Sequence, residues 1–458
     1  MEPTGTGTDF APLAEQLSGT ITTPGEDGWD LARQAWNLTA QQHPEAVASP
    51  ETAEDVQAVV NFARENGLRV APQGTGHGAT SLRDLSGAIL LKTHRMKGVD
   101  LDPEAGRARV NAGALSEDIA GAASEHGLVA LCGSSPDVGL VGYSLGGGIG
   151  WLGRKHGIQC NSLLAIEMVN AQGELVRVDA EREPDLFWAL RGGSGNFGAV
   201  TAIEFALYEE PDLYAGMLAW PWERSEEVLK RWAEWAPGAP EEITTSARIL
   251  QFPPIPDIPE FLRGRQLVMI DGAFTGSAED GEKILAPFRE LGPEMDMWQS
   301  MPGAGLVRVH GDPEQPVPGI TDHRMISELP PEAIDAFVEA AGPGSGSPLL
   351  FAELRQLGGA FARPAENGGA LTHIEDPFNL FMAAIAMTPE MGQAAEAFAE
   401  KLCQTMGPWS SSRCYLNFVE RVAVETAGAY GPETFERLKQ IRSEVDPDGM
   451  FQSNHPLD

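Results

Sequence analysis

A histidine held between two glycines opens the chemical reading of this chain. His77 lies in the run Pro72, Gln73, Gly74, Thr75, Gly76, His77, Gly78, Ala79 and Thr80. The run follows a short apolar stretch, Leu68 to Ala71, and is too rich in glycine to be the interior of a helix or strand. An imidazole there cannot belong to a periodic core face, so it reads as an exposed nucleophile. A second stretch reads as another glycine loop, Gly139 to Gly150, with Gly139, Gly142, Gly146, Gly147, Gly148 and Gly150. Together the loops offer many backbone N–H groups that no side chain obstructs, which is what a diphosphate requires. Tight turns alone would account for one such loop. Neither fits a dinucleotide fingerprint, because no Lys-Ser/Thr pair and no suitably spaced acidic residue follow Gly139. From the residues alone, the ligand is anionic and nucleotide-like.

The elements that must hold these loops can be read from periodicity. Thr52 to Asp55 is an N-cap sequence, and Val56, Val59, Val60 and Ala63 recur at helical spacing as far as Asn66-Gly67. Strands are expected at 68–71, 88–91, 107–110, 164–171, 174–178 and 199–208, with helices at 116–126 and 185–190. From about 211 to 410 the texture changes. Strand-like runs at 215–219, 266–270 and 348–355 alternate with helical stretches at 225–235, 279–291, 331–341 and 391–406, which suits a sheet covered by helices on one face. A last amphipathic helix spans 433–442 and stops at Asp446-Pro447. No internal repeat or linker-length low-complexity tract is present.

At 458 residues the chain is expected to form two domains. A formal charge of −34, from 66 acidic and 32 basic residues, repels phosphate backbones and anionic lipid, so nucleic-acid and membrane partners are disfavoured. The first 25 residues lack a basic start followed by an apolar stretch, and no window is long enough to span a bilayer, so a cytoplasmic protein is expected. Cys132, Cys160, Cys403 and Cys414 form no CxxC pair, and neither a metal site nor a disulfide framework is expected.

These motifs, taken together, resemble the berberine bridge enzyme-like FAD-linked oxidases, within the group that has the vanillyl-alcohol-oxidase type of FAD-binding domain, and the resemblance covers nearly the whole chain. It implies an α+β fold in two domains: an FAD domain at 1–210, a substrate domain at 211–410 with an antiparallel sheet covered by helices, and a C-terminal segment, 411–458, that returns to the FAD domain. It implies that His77 bonds the 8α carbon of the flavin. The usual Arg at the head of that motif is Gln73 here. Many relatives have a Cys where this chain has Ser135, and a serine is too weak a nucleophile for a second bond, so one covalent link is expected. The resemblance assigns further cofactor contacts to Ser134, Ser135, Val138, Gly139, Gly142 and Tyr143, and to Asn196, Gly198, Val200 and Asn454. The small Val138 matches the position that governs access of dioxygen, which favours an oxidase.

Tyr415-Leu-Asn-Phe418 resembles a segment whose second Tyr is a catalytic base in several relatives, and Phe418 cannot accept a proton. Tyr415 or another group must then act, with Tyr143, Glu353, Arg355, Gln356 and His373 as candidates. Strand alternation puts Glu353 and Arg355 on one face and Gln356 on the other; an ordinary solvated ion pair for Glu353 and Arg355 is equally expected. The resemblance implies hydride transfer from a small organic substrate, such as an alcohol, sugar, amine or secondary metabolite, to covalent FAD, with reoxidation by O2 to give H2O2. The rival readings are a dehydrogenase with another electron acceptor, a flavin-holding paralogue without turnover, and a non-flavin nucleotide-binding module.

Overall fold

Thr52 caps the helix Ala53–Glu65 through a reciprocal box: its hydroxyl accepts the Asp55 N–H at 3.1 Å, and the Asp55 carboxylate accepts the Thr52 N–H at 3.4 Å. The same carboxylate also accepts from the backbones of Ser18, Gly19 and Glu51, which ties the leader to the helix. Val56, Val59, Val60 and Ala63 are fully buried, as their spacing requires. The computed structural model describes residues 7–82, 84–256, 258–420 and 426–457; the first six residues of the leader and 421–425 of the expected C-terminal segment lie outside the described residues.

That helix covers a four-stranded sheet ordered Thr20–Thr22, Ala46–Ser49, Ala88–Lys92 and Arg69–Gln73, whose last three strands are parallel. The free edge of Arg69–Gln73 is met by the chain's end. Val70 donates to Met450 O at 2.8 Å and accepts from Gln452 N at 2.9 Å. A second, antiparallel sheet is ordered Val99–Asp102, Arg107–Asn111, Ala199–Ala206, Leu163–Val169 and Leu175–Asp179. The third sheet is antiparallel and has eight strands. Its path runs Met295–Asp296, Leu213–Pro221, Gln266–Thr275, Ile243–Gln251, Phe351–Gln356, Phe378–Ile385 and Gly319–Ile326, with Gln299–Ser300 paired beside Leu213–Pro221. Helices Ser225–Trp235, Ala278–Arg289, Pro331–Ala341 and Pro389–Thr405 pack on one face around Trp220, Trp232, Phe288, Phe337 and Leu354. The fold is mixed α+β, and the uncovered face of the third sheet is turned toward the glycine loops.

Two expectations need correction. The second glycine loop contains a helix, Leu140–Leu145, because Leu140, Val141, Ser144 and Leu145 are buried at helical spacing. The Glu353–Arg355 pair is not solvated: Glu353 is fully buried and Arg355 is 6 % exposed. Several strands were also not expected, among them Thr20–Thr22, Ala46–Ser49, Val99–Asp102, Ile243–Gln251, Gly319–Ile326 and Phe378–Ile385.

Candidate active site

A cavity of about 400 Å³ opens between the first two sheets and the uncovered face of the third. Its wall contains the whole of the first glycine loop, Pro72, Gln73, Gly74, Thr75, Gly76, His77, Gly78 and Ala79. Gly76 has φ +87°, and a Cβ there would lie 2.9 Å from Ala35 Cβ and from Gln73 Nε2, so only glycine fits. The loop thereby turns His77 inward.

Three residues fix the imidazole. The Trp36 ring stacks on it at 4.1 Å between centroids and 18° between planes. Thr75 Oγ1 is 2.7 Å from Nδ1, and Asp137 Oδ1 approaches Nε2 to 3.7 Å. Asp137 also accepts from the Trp36 indole N–H and from Ser135 Oγ at 2.8 Å. Burial alone would push the Asp137 carboxyl up, but hydrogen bonding and charge from His77, with the Ser135 and Trp36 hydrogen bonds, hold it below its ordinary value.

Of the other expected contacts, Ser134, Ser135, Val138, Gly139, Gly142, Tyr143, Gly198, Val200 and Asn454 line the cavity. Gly74 and Gly142 present bare backbone to open space, since a Cβ at either would meet no protein atom within 4 Å. Ser194, also in the wall, is buried with φ +63°, a conformation that non-glycine residues adopt mostly at ligand clamps and switch regions. The Tyr143 hydroxyl, Gln73 Nε2 and Thr201 Oγ1 are buried without hydrogen-bond partners among the described residues. A cradle of bare amides with orphaned polar groups fits an extended, diphosphate-bearing ligand.

Gly146, Gly147, Gly148 and Gly150 are absent from the wall. Close packing explains them: Cβ atoms there would strike Asn417, Leu371 with Tyr415, Gln159 with Tyr143, and the Cys132 carbonyl. Asn196 is likewise structural, donating to Gly193 O at 3.0 Å and to His455 O at 2.9 Å, which ties the third glycine segment to the chain's end.

The expected proton acceptors divide. Tyr415 is buried outside the wall, and its hydroxyl accepts from Gly148 N at 2.7 Å and Asn417 Nδ2 at 3.1 Å. Burial pushes its pKa up despite these bonds, so it stays protonated. Gln356 points to the helix side, bonded to Thr245 at 2.9 Å and Ala236 O at 2.7 Å. His373 sits beside Thr372 and Glu375, away from the cavity. Glu353 lies beneath the wall, and of this pair only Arg355 reaches it.

Several wall residues had not been expected: His310, Asp312, Phe351, Phe381, Asn417 and Glu420. His310 donates from both ring nitrogens, to Asp271 at 2.8 Å and Glu353 at 3.0 Å. Burial and the Arg248 charge disfavour the imidazolium, but Asp312, Asp271 and Glu353 outweigh them and raise its pKa to about 9. The Glu420 carboxyl accepts from Asn37 Nδ2 at 2.9 Å and Thr80 Oγ1 at 3.3 Å. Desolvation lifts it to about 7 against those hydrogen bonds. Neither His310 nor Glu420 lies in a periodic or motif-bearing segment, so no sequence signal marked them.

The chain is similar to known proteins. Residues 44–179 match the family model described as FAD binding domain. The chain is 28% identical to (R)-6-hydroxynicotine oxidase of Paenarthrobacter nicotinovorans, over 97% of this chain and 98% of that protein. It is 25% identical to chitooligosaccharide oxidase of Gibberella zeae, over 94% of this chain and 90% of the other. The solved structure of 6-hydroxy-D-nicotine oxidase from Arthrobacter nicotinovorans superposes with a TM-score of 0.84 at 25% identity, covering 98% of this chain and all of that one.

Proposed function

We propose that this chain, which matches an FAD binding domain and is similar over nearly its whole length to FAD-linked oxidases, is an oxidase that binds FAD through a single bond to His77 and oxidises a small organic molecule in the adjoining space. The observation that carries this reading is the inward-facing, clamped imidazole of His77 in a wall of bare glycine backbone. When bound, FAD would accept hydride from the substrate and deliver the electrons to dioxygen, giving hydrogen peroxide.

The protein's part is to bind, orient and manage protons. Gly74, Gly139, Gly142, Ser194 and Gly198 would line the phosphate and adenosine portion. Asp137, with Trp36 and Thr75, would orient His77 toward the cofactor; Ser135 is committed to Asp137 and adds no second link. Val138 leaves room for dioxygen on the wall. Tyr415 serves as a positioning residue that holds the Gly148 backbone, and the Tyr143 hydroxyl, kept protonated by burial, offers a donor. Glu420 is the cavity carboxyl with an affinity suited to accept the substrate's proton near neutral pH. The assignment of 1–210 and 411–458 to the cofactor and 211–410 to the substrate is supported by the chain's end pairing with Val70 and by the third sheet's uncovered face. A cytoplasmic location fits the same picture; among the described residues no helix is long and apolar enough to cross a membrane.

Oxygen uptake during turnover tests the reaction type. The proposal expects peroxide in a one-to-one ratio with oxidised product. Turnover that needs an added dye or protein acceptor, with no oxygen uptake, would assign a dehydrogenase instead.

A further inference from the structure

The third sheet gives the cavity one half of distinctive chemistry. Along Phe351–Gln356 alternate residues face opposite sides, so Phe351, Glu353 and Arg355 share the cavity side while Ala352 and Leu354 join the helix-covered core. Phe351, Phe381 and Phe418 form a contiguous aromatic wall, with Phe381 4.7 Å from Phe418 and 5.9 Å from Phe351 between centroids. Into this wall projects one guanidinium. Arg355 Nε donates to Glu353 Oε1 at 2.5 Å, and its Cζ lies 5.5 Å from the Phe418 ring and 5.9 Å from that of Trp151. These contacts fix its orientation, and Nη1 has no hydrogen-bond partner among the described residues.

The network behind Arg355 interleaves cations and carboxylates. Arg248, His310 and Arg355 are three cations, and Asp271 and Glu353 are the two carboxylates paired with them. Asp312, also on the wall and half-buried, is a third carboxylate whose charge acts on His310 and Arg355 without an ion pair among the described residues, so the network is balanced and the open Nη1 is what Arg355 offers a ligand. A desolvated, pre-oriented guanidinium favours an anionic oxygen partner over a neutral one. Flat aromatic walls favour a flat apolar body.

Resting on the oxidase reading above, we propose that the substrate is a flat, mostly apolar molecule with one anionic oxygen group, a carboxylate or phenolate, and that Arg355 receives that group. The ligand class thus differs from the oligosaccharide named for the Gibberella zeae relative. If the molecule also bears the hydroxyl or amine to be oxidised, Asp312 and Glu420 are the wall carboxyls available to it.

The test is a calorimetric titration of the purified full chain with benzoate, benzamide and cellobiose, which reads binding whether or not the protein is coloured. Benzoate should bind about tenfold or more tighter than benzamide, the margin of one charge-assisted contact, and cellobiose should give no heat. Arg355→Gln should erase the preference for benzoate, and Arg355→Lys should keep part of it. Equal binding of benzoate and benzamide, tighter binding of cellobiose, or a preference unchanged in Arg355→Gln would overturn the proposal. Should Arg355→Gln fail to fold, the wild-type series decides. A yellow protein indifferent to ligand charge would refute this inference alone, whereas a colourless protein would refute the flavin reading.

Discussion

His77 answers two demands at once: it must be reachable from the cavity, and it must not rotate. The glycines beside it meet the first, and Trp36, Thr75 and Asp137 meet the second. Asp137→Asn keeps the shape and removes the charge, so the share of flavin that stays with acid-precipitated protein should fall several-fold while total bound flavin changes little. Glu420 makes a separate prediction. An acid whose pKa is raised to about 7 in the folded protein, against about 4.3 unfolded, stabilises the fold at low pH, and that stability is lost as pH rises through 7. Thermal midpoints measured from pH 5 to 8 should therefore decline more steeply in wild type than in Glu420→Gln, and kcat/KM in the variant should lose its rise toward pH 7. His77 was legible because its glycine neighbours exclude a core role. Asp137 and Glu420 were not, since among 66 acidic residues only burial and neighbours single them out.

Among the elements, the glycine-rich stretch after Leu145 shows how one residue type can mean two things. Gly74 and Gly142 leave space for a ligand, whereas Gly146, Gly147, Gly148 and Gly150 leave space for protein. Sequence cannot separate the two, because both demand a missing Cβ. Gly147 has φ +132°, and a Cβ would lie 2.9 Å from Leu371 and Tyr415. Gly147→Ala should then destabilise the fold by about 2–4 kcal/mol through strain and overpacking, read as a lower thermal midpoint with the flavin-to-protein ratio of the folded fraction unchanged. Helices at 53–65, 225–235 and 331–341 were readable from apolar spacing. Strand Ile243–Gln251 was not, because Thr244, Thr245, Ser246 and Arg248 are buried within it and blur the alternation of apolar and polar residues. The opposed directions of Arg355 and Gln356, by contrast, followed directly from strand periodicity.

On the scale of the whole molecule, the cavity is closed by residues far apart in sequence. Phe451 bridges to Val70, Asn454 Nδ2 donates to Gly78 O at 3.3 Å, and Asn196 donates to His455 O. Removing residues 447–458 should strip these ties from the first glycine loop, giving protein that purifies with little flavin and unfolds at lower temperature, as absorbance and a thermal scan would record. The general architecture was readable because the change of texture near residue 211 marks the start of the third sheet. The joint between sheets was not, since it depends on contacts with sequence separations above 200 residues, such as Asn37 with Gly319.

Intact mass of acid-denatured protein, wild type beside His77→Ala, tests the central claim most directly. Wild type should carry one FAD-sized mass increment that His77→Ala lacks. A wild-type mass equal to that of the bare chain, from protein purified with flavin present, would contradict the covalent tether on which this account is built.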